Sequence, residues 1–255
     1  MVRTLFPIIA SFAVLTTAGT ALAGPSCAAL AGKSFVFRID GVEQEQFDDD
    51  VKPYAAGGRF RLYADGRHGL VRYFVNGAGS EAGFRTQDVE CQGDDGIPPR
   101  LTFWRKDQSE LTLVFRHGPA GDLILTAAWP GGLVARGDAA PLVPGRAASA
   151  PCTAFGGRFA ALIGGRDAGL GKYAPAVAEL NDYVFKSGKG SSDAAAEVVC
   201  TAAPEFGPGA ARLVIGNGPG KKITSGYVAA ASRDRVVYVD ETPGRATSGW
   251  FHRQP

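Results

Sequence analysis

The chain has 255 residues, 45% of them hydrophobic, with 27 basic and 25 acidic side chains and a net charge of +2. A chain this apolar and this nearly neutral packs a core rather than staying disordered. Its basic residues are scattered, without the concentrated footprint of a nucleic-acid binder, so no nucleic acid is expected as a partner.

Residues 1–23 read as an export signal. Arg3 supplies the positive start, Leu5 to Leu15 a mostly apolar run, and Ala21-Leu22-Ala23 the small-x-small site after which cleavage is expected. The apolar run is too short, and too broken by Thr16, Thr17 and Gly19, to be a transmembrane helix, and no later stretch is a candidate. The mature chain is therefore expected to be soluble, in the periplasm or secreted.

A short pattern then opens two halves of the chain. Cys27-Ala28-Ala29-Leu30-Ala31-Gly32-Lys33 begins one, and Cys152-Thr153-Ala154-Phe155-Gly156-Gly157-Arg158 begins the other. Each is followed by alternating or β-branched apolar residues and a second cysteine. In an oxidising compartment four cysteines read as disulfides, and of the three pairings the repeat selects Cys27–Cys91 and Cys152–Cys200. A zinc site needs close cysteine pairs, which are absent. The later segments Leu113 to Pro119 and Leu213 to Pro219 look like matched hairpins of the two copies.

In the first copy, Phe35, Phe37 and Ile39 alternate with polar neighbours, the signature of a half-buried strand. An acidic loop is expected from Asp40 to Asp50. Arg59 to Leu62 is a second strand, with Asp65-Gly66 supplying a turn. Further strands follow at Leu70 to Val75, Phe84 to Cys91, Leu101 to Arg105, Leu111 to Phe115, Leu123 to Ala128 and Leu133 to Arg136. Short strands joined by hairpins predict an antiparallel barrel or sandwich, and an eight-stranded barrel can be filled by side chains or hold one small ligand.

Pro141 to Pro151 has the composition of a linker. The second copy predicts strands at Arg158 to Ile163, Val184-Phe185, Glu197 to Thr201, Arg212 to Ile215, Ile223 to Ala229, Arg235 to Val239 and Gly249 to Arg253, with a helical turn between Pro175 and Asn181. It has fewer aromatic residues, so a thinner core and a lower-melting second transition are expected. The fold class is all-β: two tandem antiparallel β-barrel-like or sandwich domains, each with one internal disulfide. The divisions are 1–23 signal peptide, 24–140 first domain, 141–151 linker and 152–255 second domain, a repeat of the first.

Catalytic patterns do not assemble. His68 and His117 lie near predicted turns and His252 near the C-terminus, as surface histidines do. Ser80 misses the Gly-x-Ser-x-Gly elbow at its first position, and Gly216 to Lys222 lacks the spacing and following helix of a phosphate loop. The acidic run matches no calcium-loop spacing. No catalytic residue, metal or cofactor is assigned.

Gly32-Lys33-Ser34-Phe35 and Gly157-Arg158-Phe159, a glycine followed shortly by an aromatic on the first strand, resemble the opening of a lipocalin or avidin-type (calycin) barrel. That family has Gly-x-Trp there, and this chain has no tryptophan at the position. The resemblance implies an architecture and a cavity, without naming a ligand. The expected function is a non-enzymatic exported binding protein. Its site would be in the first domain, lined by Phe35, Phe37, Tyr73, Phe103, Trp104 and Trp129, and a small apolar molecule would fit it. The same spacing also suits plain core. The alternatives are a structural or protein-interaction module of the cell envelope and, third, a hydrolase using His68 or His117.

Overall fold

The computed structural model describes residues 25–44, 51–77, 82–93, 98–105, 108–128, 132–143, 152, 157–167, 174–177, 181–186, 189–192, 195–206, 210–216, 222–242 and 245–255. The export signal and most of the linker lie outside these residues.

The alternation in the first half closes a barrel. Strands β1 (Ser34–Gln44), β2 (Val51–Leu62), β3 (His68–Gly77), β4 (Gly83–Gln92), β5 (Arg100–Arg105), β6 (Gln108–His117), β7 (Leu123–Ala128) and β8 (Val134–Pro141) pair antiparallel in chain order, and β8 returns to β1. Closure removes the unpaired edges that an open sheet would expose. Phe35, Phe37, Ile39, Val71, Val89, Leu101, Phe103 and Leu113 turn inward into one continuous core. A short helix, α1 (Pro25–Ala28), puts Cys27 and Leu30 into that core, and the Cys27–Cys91 disulfide ties it to β4. The Asp65-Gly66 turn forms as expected. Gly66 has φ +67, and a Cβ there would sit 3.0 Å from the Cys27 carbonyl oxygen, so the turn nests against α1 only because the residue is glycine.

One boundary differs from the sequence reading. β1 runs on to Gln44, so Asp40 and Glu43 belong to a strand rather than to an acidic loop. Asp40 pairs in register with Ala55 and Arg136, and Arg38 Nη1 donates to its Oδ1 at 2.6 Å. Burial nevertheless raises the Asp40 pKa above the ordinary value. Residues 45–50 of the expected loop lie outside the described residues.

The second half forms a sheet of β9 (Gly157–Asp167), β10 (Ala174–Val177), β11 (Asn181–Lys186), β12 (Lys189–Ser192), β13 (Ala195–Ala202), β14 (Ala210–Gly216), β15 (Lys222–Ala230), β16 (Arg235–Asp240) and β17 (Arg245–Arg253). β17 pairs back onto β9, so the ladder runs from β9 through β11 to β17 and returns. One expectation is corrected here, and one strand was not anticipated. The segment read as a helical turn supplies β10, held against Gly164 to Asp167 of β9, and Asn181 begins β11; β12 had no sequence signal at all. The Cys152–Cys200 disulfide is present.

β10 and β11 lie in succession against β9, so Cys200 occupies the fourth position round the sheet, as Cys91 does in the barrel. Cys91 is opposite Leu101, and Cys200 is opposite Leu213. The counterpart of Leu213 is therefore Leu101, and the hairpin match with Leu113 is out by one strand. All-β construction with one disulfide in each half is the observed fold class. Such bonds belong to oxidising compartments rather than to the reducing cytosol.

The two units share a wall. Val36, Phe74 and Ala140 on the outside of the barrel pack with Phe206, Tyr227, Ala229, Val237, Val239 and Trp250 of the second sheet. β16 is buried on each side: Val236 and Tyr238 face the second core, Val237 and Val239 the junction. Phe74 and Phe84 each lie 4.7 Å from Tyr227 between ring centroids. Polar bonds cross the junction too. Asn76 Nδ2 donates to the Asp240 carbonyl at 2.7 Å, Ser248 Oγ to the Ile39 carbonyl at 3.2 Å, and Val143 N to the Ala231 carbonyl at 3.0 Å. Burial at this junction also lowers the Arg59 pKa to about 10.

Candidate functional site

The inner wall of the barrel changes character along its axis. Beside α1, Phe35 stacks on Phe60 with centroids 5.0 Å apart. Phe37 then meets Phe60, Tyr73 and Phe103 at 6.0, 6.2 and 5.7 Å. The structure thus brings together Phe35, Phe37, Tyr73 and Phe103, and these rings pack on one another across the middle of the barrel. Trp104 does not join them. It pairs with exposed Asp88 on the outer face of β5, and its Nε1 is buried without a hydrogen-bond partner. Trp129 lies outside the described residues.

Beyond the rings, away from α1, the wall becomes polar on one side. Cys91 and Val89 face inward on β4, so the two-residue period puts Gln87 and Arg85 on the same inner face. Gln87 is only 5% exposed. Tyr73 Oη donates to its Oε1 at 3.1 Å, and its Nε2, also buried, has no partner. Arg85 is opposite Tyr73 across the β3–β4 ladder, and its Nη1 donates to the Phe84 carbonyl at 3.3 Å. Tyr54 and the cross-strand neighbours Glu43 and Lys52 continue this inner face. Opposite them, Phe103, Leu111, Leu133 and Ala135 keep the wall apolar. The strand connections at this end, 45–50, 78–81, 106–107 and 129–131, lie outside the described residues.

The histidines stay apart from this wall. His68 is exposed, with Nδ1 2.8 Å from Asp65 Oδ2, and its hydrogen bonds hold the Asp65 pKa down to about 2. His117 is exposed at the end of β6, edge-on to Phe115 at 5.8 Å. His252 is exposed on β17, its pKa lowered by partial burial and then by the Arg235 charge. Among the described residues no His, Cys, Asp and Glu group is arranged to hold a metal, and no helix is long and apolar enough to cross a membrane.

Sequence reasoning selected the aromatics and missed Gln87, Arg85 and Lys52. The signal was there: counting back by twos from Cys91 leads to Gln87 and Arg85 on the core side.

The class of the protein follows from the fold: tandem antiparallel β-barrel-like domains, each with its own disulfide. No protein-family model matches the chain, and no curated protein is significantly similar to it.

Proposed function

We propose that this is an exported binding protein, periplasmic or secreted, of calycin-like build, whose small-molecule ligand enters the first barrel at the end opposite α1. One observation carries the reading. Gln87 Nε2 is a buried donor inside a barrel wall, without a partner. An unmet buried donor costs about 1–3 kcal/mol, so a native chain that keeps one has a use for it. The closed barrel supports the calycin-like assignment, the paired cysteines support export, and the apolar wall from Phe103 to Ala135 supports a largely apolar ligand.

Native mass spectrometry of the exported protein tests this. The expected result is a bound small molecule, released on denaturation and absent from Gln87→Leu protein of unchanged circular dichroism. Wild-type protein that flies at its bare mass, and takes up nothing from an extract of the producing cells, would overturn the reading in favour of an envelope-protein partner.

A further inference from the structure

We infer that the contact between the two units is acid-sensitive: a proton on His252 sets a second positive charge against Arg235, which ties the second sheet to the barrel, and loosens that tie. The inference goes beyond the binding reading and is independent of any ligand.

The ladder sets the geometry. His252 of β17 is the register partner of Arg235 of β16, so the two side chains stand on one face, the face on which Trp250 meets the barrel. From there the Arg235 guanidinium lies 4.1 Å above the Trp250 ring and reaches Asp122 at 2.5 Å and Asp138 at 2.7 Å. Both Nη groups are thus committed, and Nε is buried without a partner. Like charges directly opposite one another in a ladder repel. A neutral imidazole at this position adds no such repulsion, whereas an imidazolium does.

The neighbours of His252 decide the balance. Among the described side chains, Arg235 faces it from β16 and Asp138 from β8; Asp122, just before β7, is bound to Arg235, and Arg38 of β1 is bound to Asp138. Asp138 already gives one oxygen to each arginine, which leaves it little to offer a third cation. On β9 the register partner is Ala160, without charge. Arg253, next along β17, turns to the opposite face and pairs with Asp234 at 3.1 Å.

Partial burial, and then the Arg235 charge, hold the His252 pKa below its ordinary 6.5, against the pull of Asp138. A histidine lowered in the fold takes its proton more readily when unfolded. Stability therefore falls as the pH drops through 6.5, and the loss is complete below the lowered folded value. Asp40, bonded to Arg38, works the other way: burial raises its pKa, so acid favours the fold there. His252→Gln keeps Asp40 and removes only the imidazole titration, so comparison with that variant cancels the opposing effect.

Thermal unfolding of the exported protein and of His252→Gln at about pH 7.5 and about pH 5.5, a window that spans the histidine range, tests this. The wild type is expected to lose about 1–3 °C more than the variant between the two. Proton NMR should place the His252 midpoint below 6.5, and Arg235→Met should move it upward. Hydrogen exchange, corrected for its intrinsic pH dependence, should lose more protection across β8 and β16 in acid in the wild type than in His252→Gln. Equal melting losses, equal exchange, or a midpoint that Arg235→Met leaves in place would overturn the inference.

Discussion

Arg235 of β16 donates Nη2 to Asp138 Oδ2 of β8 at 2.7 Å and Nη1 to Asp122 Oδ2 at 2.5 Å, while its guanidinium lies 4.1 Å above the Trp250 ring. Asp138 Oδ1 also accepts from Arg38 Nε at 3.0 Å. One arginine of the second sheet is thus bonded to two carboxylates of the first barrel. In a double-mutant cycle, Arg235→Met and Asp138→Asn should couple by about 1–3 kcal/mol, as charged hydrogen bonds do when water is partly excluded. Strict additivity in thermal or urea unfolding would refute the clamp.

The junction changes the expected melting behaviour. The composition of the second half leads one to expect a separate, earlier transition there. Its sheet, however, shares an apolar wall with the barrel through Phe74, Tyr227, Val237 and Trp250. Separating the halves exposes that wall, so differential scanning calorimetry should show a single endotherm. Two resolved peaks would mean that the wall adds little.

At Gly57 the barrel backbone lies directly against the Val239 side chain of the second sheet. A Cβ at this position would lie 2.5 Å from Val239 Cγ2 and 2.9 Å from the Phe37 carbonyl oxygen. Gly57→Ala should destabilise by about 1–3 kcal/mol, the usual cost of overpacking, because neither neighbour is a flexible side-chain end. A melting temperature unchanged from wild type would contradict the close approach.

Each disulfide closes a long loop, with sequence separations of 64 and 48. Replacing either pair by alanine should cost about 4 kcal/mol on the chain-entropy account. Non-reducing peptide mapping should find Cys27 with Cys91 and Cys152 with Cys200, and a bond joining the halves would break the two-unit description.

Glu241 gives a pH signature. Burial pushes its carboxyl up, but hydrogen bonds led by that from Arg212 outweigh this and leave it below its usual 4.5. A depressed acid stabilises the fold above its unfolded pKa, and that contribution fades as the pH falls through the folded value. Glu241→Gln should therefore be less stable than wild type at neutral pH, with the gap closing as the pH falls below the ordinary 4.5 and through the lowered folded value. A gap that widened in acid would reverse the assignment.

How much of this was legible beforehand depends on whether a side-chain period existed to be read. Phe35, Phe37 and Ile39 announce β1 through strict alternation. Lys189-Gly190-Ser191-Ser192 has none, and β12 exists because Tyr183 to Lys186 and the start of β13 pair with it on either side. β10 contains Pro175 and two alanines, which read as a helix start until β9 claims them. The junction left a trace in unbroken apolar runs, Tyr73-Phe74-Val75 and Val236 to Val239, since a strand covered on each side has no polar face to show. Gln87 escaped notice because a lone glutamine among core positions looks like a lapse in the pattern rather than a feature of it.

The wall shared by the two units has a practical consequence for anyone dissecting the chain. Cutting after Pro141 would strip Val36, Phe74 and Ala140 of their cover on one fragment and Tyr227, Val237 and Trp250 on the other. Each piece would carry a sticky hydrophobic scar, prone to self-association, and insolubility of such truncations would reflect that scar rather than a failure of either half to form its strands.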